Sequence, residues 1–240
     1  MKSLTTGLLK GGLLRFAHKF ALLACAALSL VAFGASLVFL TGCGTTARVT
    51  PVAVSHSAIG SVENRKSGTI LVKTFALARK QDPKFGRAIG SMPWAAGPGL
   101  NWVFVSSDPL GIGVQTTEFF SEALNAAGYK AIIETPETAA EAKTASAILQ
   151  GQIREFWLYG GLGGVDGKIS VALKLFSPDG NNVLWEKEFA TVRQKGMAFA
   201  SYQTFANESV KVLSAALDDL LNQAAKEFAS EQFYENLKKP

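Results

Sequence analysis

The pattern of apolar and polar positions divides the chain sharply in two. Phe20 to Leu40 carries no charged residue, and the stretch before it carries Lys2, Lys10, Arg15 and Lys19 with no acidic residue. A basic flank, an apolar run and small residues at its end form the three-part pattern of an export signal. The run is also long enough to cross a bilayer as one helix, since about 20 apolar residues suffice.

Beyond residue 68 the pattern alternates between helical and strand periods. Thr69 to Phe75 is β-branched and predicts a first strand. In Val114–Ala127, Phe119, Phe120, Ala123, Leu124 and Ala127 recur at spacings of three and four, which predicts a helix that Gly128 ends. Lys130 to Glu134 reads as a short strand. Thr135-Pro136-Glu137 then reads as a helix start, with Thr as cap and Pro in the first turn.

Three longer strands follow. In Ala147 to Tyr159, Leu149, Ile153 and Trp157 fall on one face and Gln150, Gln152 and Arg154 on the other. Lys168 to Phe176 alternates most cleanly, with Ile169, Val171, Leu173 and Leu175 opposed to Lys168, Ser170 and Lys174. Ser177-Pro178-Asp179-Gly180-Asn181 is a turn, because Pro fixes φ and Gly or Asn accepts positive φ. Val183 to Val192 returns with Trp185 and Phe189. Ser201 to Phe228 carries a broad apolar stripe at helical spacing, including Leu213, Leu217, Leu220, Leu221, Ala224 and Phe228. Phe233 and Tyr234 suit a last short helix. The expected fold is α+β: a mixed or antiparallel sheet of about five strands covered by two main helices, the C-terminal one longest.

Two segments lack a sustained period. Residues 43–68 are rich in small and hydroxyl residues and read as a tether, with a short strand admissible at Val52 to Val54. Residues 81–109 contain Pro83, Pro93, Pro98 and Pro109 and read as an irregular insertion, with a strand admissible at Trp102 to Val105. The expected organisation is a signal at 1–42, a tether at 43–68 and one domain at 69–240.

The apolar run ends in Leu40-Thr41-Gly42-Cys43, which resembles the bacterial lipobox. The resemblance implies cleavage between Gly42 and Cys43, with diacylglycerol (palmitate among its chains) on the Cys43 thiol and acylation of the new amine. One acyl chain holds a protein only marginally, whereas two or more give stable anchoring. Ala24-Cys25 is a poorer version of the motif, and cutting there leaves almost no apolar core before it. Gly44 follows the cysteine where enteric lipoproteins kept at the inner membrane carry Asp. That implies the outer membrane, facing the periplasm.

Cleavage changes the charge picture. The chain has a formal net charge of +5, yet four of its 24 basic residues precede Cys43 and all 19 acidic residues follow it. Twenty against nineteen leaves the mature chain near +1, so there is no global basic footprint for nucleic acid. Cys43 is its only cysteine, so no intramolecular disulfide is available.

Candidate chemistry is thin. His56, the single histidine after Cys43, falls in the expected tether and reads as a solvated loop residue. One histidine and one lipidated cysteine do not make a zinc site. Glu155 and Asp166 are the carboxylates nearest the glycine-rich stretch, and nothing in the sequence pairs them. Gly160-Gly161-Leu162-Gly163-Gly164 lacks the Lys-Ser/Thr of a phosphate loop and reads as a hairpin tip. Gly111-Ile112-Gly113 lacks the third glycine of a dinucleotide fingerprint. Trp157 and Trp185 read as core, while Trp94 and Trp102 in the insertion are candidates for partner contact. No catalytic residue, metal ligand or cofactor is assigned.

The order of parts resembles the YajG-like family of bacterial envelope lipoproteins, carried by Gly128-Tyr129, Leu149 to Ile153, Leu184-Trp185 and Phe199 to Asn207. It is similar in plan to the auxiliary lipoproteins of envelope ABC transporters and to the N-terminal domain of TolB-type proteins. The resemblance spans roughly residues 69 to 230 and excludes the insertion and the Gly-rich hairpin. It implies a non-enzymatic, lipid-anchored binding or assembly component of the cell envelope, with an envelope protein as partner. The alternatives are a transport auxiliary or lipid-handling subunit and, third, a periplasmic hydrolase.

Overall fold

The computed structural model describes residues 46–60, 62, 66–78, 88–93, 100–106, 111–161, 164–196 and 202–239. The chain divides into two compact units, Met1–Thr46 and Ala47–Pro240. The first lies, but for Thr46, outside the described residues, and with it lie Gly42, Cys43 and Cys25.

The second unit is α+β, built on a mixed sheet with β7 (Ala147–Gly161) at its centre. Fifteen residues make β7 long enough, about 50 Å, to serve several partners in turn. Along one edge it receives β2 (Thr69–Val72), β3 (Ala76–Leu77) and β4 (Ala88–Pro93), all parallel to it. Along the other runs β8 (Gly164–Phe176), antiparallel, followed by β9 (Val183–Gly196). Outside β2 lies β6 (Lys130–Ile133), parallel. Outside β4 lies β5 (Leu100–Ser106), antiparallel, and beyond it β1 (Thr46–Val52).

Helices cover one face of this sheet. The helix α1 (Gly111–Ala126) and the longest helix, α3 (Tyr202–Phe228), pack on it and on each other. The stripe expected on α3 is the buried one: Leu213, Leu217, Leu220, Leu221, Ala224 and Phe228 are all fully buried. On β8 the alternating set Ile169, Val171, Leu173 and Leu175 faces the helices. Gly167 continues that set because α3 crosses close above it. A Cβ there would lie 3.1 Å from the Leu213 α-carbon. The short α4 (Glu231–Leu237) is capped by Ser230, whose side chain accepts from the Phe233 amide. It delivers Phe233 edge-on to Trp185, centroids 5.0 Å apart. On the other face, α2 (Ala139–Ala142) shelters only Leu71, Ile132 and Ala145, with Ile148 packed beside them. Its helical residues begin at Ala139, later than Thr135-Pro136 suggested. Thr135 and Thr138 instead bond each other across the preceding turn, where the Thr135 amide donates to the Thr138 hydroxyl at 2.9 Å.

Three further expectations need correction. Part of the expected tether belongs to the domain: β1 is a strand of the sheet, and Val54 lies in the core. Within 81–109, β4 pairs antiparallel with β5 and extends the sheet, and β5 contains the strand admitted at Trp102 to Val105. Short runs broken by glycine or proline hid β1 and β4 from periodicity. The third correction concerns β7. Its register slips between Ile153 and Glu155, leaving Arg154 as an extra residue. Such a bulge shifts the alternation by one. Leu149 and Ile153 face the helices before it, whereas Phe156 and Leu158 do so after it. Trp157 is thereby turned to the opposite, uncovered face, while Trp185 is core as expected.

Candidate functional site

The bulge in β7 creates the principal surface feature. Glu155, Trp157 and Tyr159 project from the face opposite α1 and α3, toward the end of the strand. Trp157 stands opposite Lys168 on β8, and Lys168 opposite Val192 on β9, so the three form one row across three strands. The rings of Trp157 and Tyr159 are 6.4 Å apart and tilted by 60°. The Lys168 ammonium lies over the Tyr159 ring, 4.8 Å from its centroid. The Tyr159 hydroxyl donates to Glu155. Tyr159 is 38% exposed and Val192 55%, so the patch is open to solvent. Nearby on the same face, Glu188 accepts from Arg154 and from the Ser170 hydroxyl.

The two carboxylates considered for chemistry are not brought together. Glu155 stands opposite Ser170 and Asp166 opposite Tyr159. Their partner positions on β8 lie four residues apart, about 13 Å along the strand. Gly161 pairs with Gly164 at the end of β7 and β8, the hairpin position expected for the glycine-rich stretch. Of the glycines that open α1, Gly111 takes a φ of +86° and Gly113 serves packing. A Cβ on Gly113 would come within 2.7 Å of the Phe75 carbonyl oxygen.

His56 is not solvated. Its side chain is 10% exposed, with Nε2 3.0 Å from a Glu122 carboxylate oxygen on α1. Its Nδ1 lies 2.6 Å from the Ser57 carbonyl oxygen, and its ring meets Phe119 edge-on at 4.9 Å. The neighbouring residues are held as firmly. The Ser57 amide and hydroxyl donate to the two oxygens of Asp218 at 2.6 and 3.0 Å. The Gly60 amide donates to Asn222 Oδ1 at 3.1 Å. Gln115 donates from Nε2 to the Val54 carbonyl at 3.0 Å. Asp218 and Asn222 are one helical turn apart on α3, so one face of α3 and one of α1 grip the strap between them. His56 turns to Glu122 and to a main-chain carbonyl, while the Ser57 hydroxyl turns to Asp218. Sequence missed this strap because polar side chains hold it, and those leave no apolar period.

Of the partner-contact candidates, Trp94 lies outside the described residues. Trp102 lies on β5 in register with Met92 on β4, level with the end of β7. Burial pushes the Tyr129 phenol above its usual pKa, and Tyr234 and Glu231 push the same way. Its ring meets Phe233 edge-on at 5.7 Å, and its hydroxyl has no hydrogen-bond partner among the described residues. Among the described residues no group of His, Cys, Asp and Glu is placed to hold a metal, and no helix is long and apolar enough to cross a membrane.

The chain matches no family model and no curated protein. Solved structures do resemble it. Protein XCC0632 from Xanthomonas campestris, of family model DUF330, is 16% identical over 79% of this chain and 100% of its own, with a TM-score of 0.49. A PelC dodecamer from Paraburkholderia phytofirmans is 14% identical over 74% of this chain and 98% of its own, TM-score 0.41. Lipoprotein GNA1162 from Neisseria meningitidis is 14% identical over 65% and 99%, TM-score 0.31.

Proposed function

We propose that the protein is a lipid-anchored component of the bacterial cell envelope that acts by binding a partner rather than by catalysis. One observation carries the reading: Leu40-Thr41-Gly42-Cys43 closes the apolar run, and the first strand of a folded domain begins only three residues later. Signal and domain therefore meet at the lipidation site. Gly44, in place of Asp, supports residence at the outer membrane, facing the periplasm.

The partner surface is the part of the sheet face opposite α1 and α3 that α2 does not cover. Gln150, Gln152, Lys174, Glu186 and Glu188 line it, polar and exposed. A rim of this kind suits a protein partner better than a buried small ligand. The test is site-specific photo-cross-linking in intact cells from Gln152 and from the two tryptophans Trp94 and Trp102. A discrete envelope-protein adduct is the expected result. No protein adduct from any of the three positions contradicts the binding role. An adduct to the permease or ATPase of a transporter would narrow the role to a transport auxiliary.

A further inference from the structure

With β1 in the sheet, the anchor has almost no slack. The span from Cys43 to Thr46 is three residues. Fully extended, three residues reach about 10 Å. A lipid on Cys43 would hold the start of β1 at the bilayer surface.

The topology fixes which end of the sheet that is. β4 runs in the direction of β7, and β5 runs back. Five residues after β5 ends, α1 begins. Two residues after β1 ends, the Val54 carbonyl accepts from Gln115, in the second turn of α1. Both strands thus finish near the start of α1, and being equally long they also begin together. Their common starting end is where β7 finishes. There stand Tyr159 and Trp157, which the bulge has turned outward.

We infer that this end of the sheet lies on the membrane surface, with Trp157, Tyr159, Lys168 and Val192 at the headgroup boundary. The inference rests on the lipoprotein reading above. Tyr and Trp suit that boundary because one part of each ring system is apolar and the other polar. The Lys168 ammonium sits over the Tyr159 ring and gives the patch one cation. Asp166, opposite Tyr159, and Glu155, bonded to its hydroxyl, offset that single cation. The contact is therefore interfacial and does not depend on anionic lipid. The remaining, more polar part of the same face stays free for a protein.

The mature lipidated chain in phosphatidylcholine vesicles with brominated acyl chains provides the test. Cys43 is the only cysteine after the signal, and lipidation consumes its thiol, so an engineered cysteine takes a fluorophore uniquely. Three variants are compared: Tyr159→Cys, Val192→Cys and Val183→Cys. Val183 is 50% exposed and pairs with Phe176 at the opposite end of the sheet. Several-fold stronger quenching at 159 and 192 than at 183 is expected, unchanged when phosphatidylglycerol is added. Equal quenching at all three positions overturns the placement. If only 159 departs, 192 decides, since its substitution touches no aromatic. Failure of the unmodified protein to float with vesicles overturns the anchor itself, and with it the placement.

Discussion

Nε2 of His56 stands 3.0 Å from the carboxylate of Glu122, across the boundary between a segment with no hydrophobic period and the helix that covers the sheet. The same ring packs edge-on against Phe119. His56→Ala removes the ring contact and one hydrogen bond. Each contributes about 1 kcal/mol, and Glu122 is too exposed to add much by charge. A loss of about 1–2 kcal/mol in urea unfolding is expected. Faster hydrogen exchange confined to residues 53–60 should accompany it. Unchanged exchange there would show that the strap is held without His56.

Gly151 lies on the helix-facing side of β7 directly beneath Phe75. A Cβ on it would come within 2.4 Å of that ring. Phe75 has little room to retreat: it is 3% exposed, its amide donates to Thr117 Oγ1 at 2.9 Å, and Gly113 abuts its carbonyl. Overpacking of this kind costs about 1–3 kcal/mol. Gly151→Ala should lower the free energy of unfolding by that amount, and Phe75→Leu in the same chain should recover part of it.

Phe233 ties the C-terminus to the core. It is fully buried and contacts Trp185, Phe228 and Tyr129. Phe233→Ala should destabilise the domain by about 3–5 kcal/mol, the range for a large aromatic removed from a packed core. A circular-dichroism melt that stays within a degree or two of the parent would place α4 outside the cooperative unit.

Glu208 takes hydrogen bonds from Lys195 on β9 and Lys211 on α3, which hold its carboxyl pKa down at about 2 from 4.5. A depressed carboxylate stabilises the fold above its unfolded pKa, and that contribution is lost as pH falls through the folded one. Thermal stability should therefore decline between about pH 4.5 and pH 2, and Glu208→Gln should flatten that decline. The group is exposed, so added salt should shrink the difference between the two proteins.

Much of the fold was legible where burial imposes a period. The alternation of β8, the apolar stripe of α3, and the turn at Gly180, whose φ is +77°, all follow from local sequence. What escaped has local physical causes. Arg154 adds one residue to β7 and flips Trp157 outward, which strict alternation cannot foresee. β4 hides in a proline- and glycine-rich stretch, although the strand admitted at Trp102 to Val105 lies within its partner β5. The strap at 53–60 is fixed by Asp218 and Asn222, more than 150 residues away. Of the candidate site, the lipobox ending in Cys43 is a sequence motif, whereas the surface patch around Trp157 emerges only from the bulge and the topology.

Attachment through Cys43 is the claim on which the orientation and the partner face both depend. It is tested most directly by growing cells on labelled fatty acid and following the label in the full-length protein. Labelling should be lost in Cys43→Ala and unchanged in Cys25→Ala. Undiminished labelling of Cys43→Ala would contradict the anchor and everything built upon it.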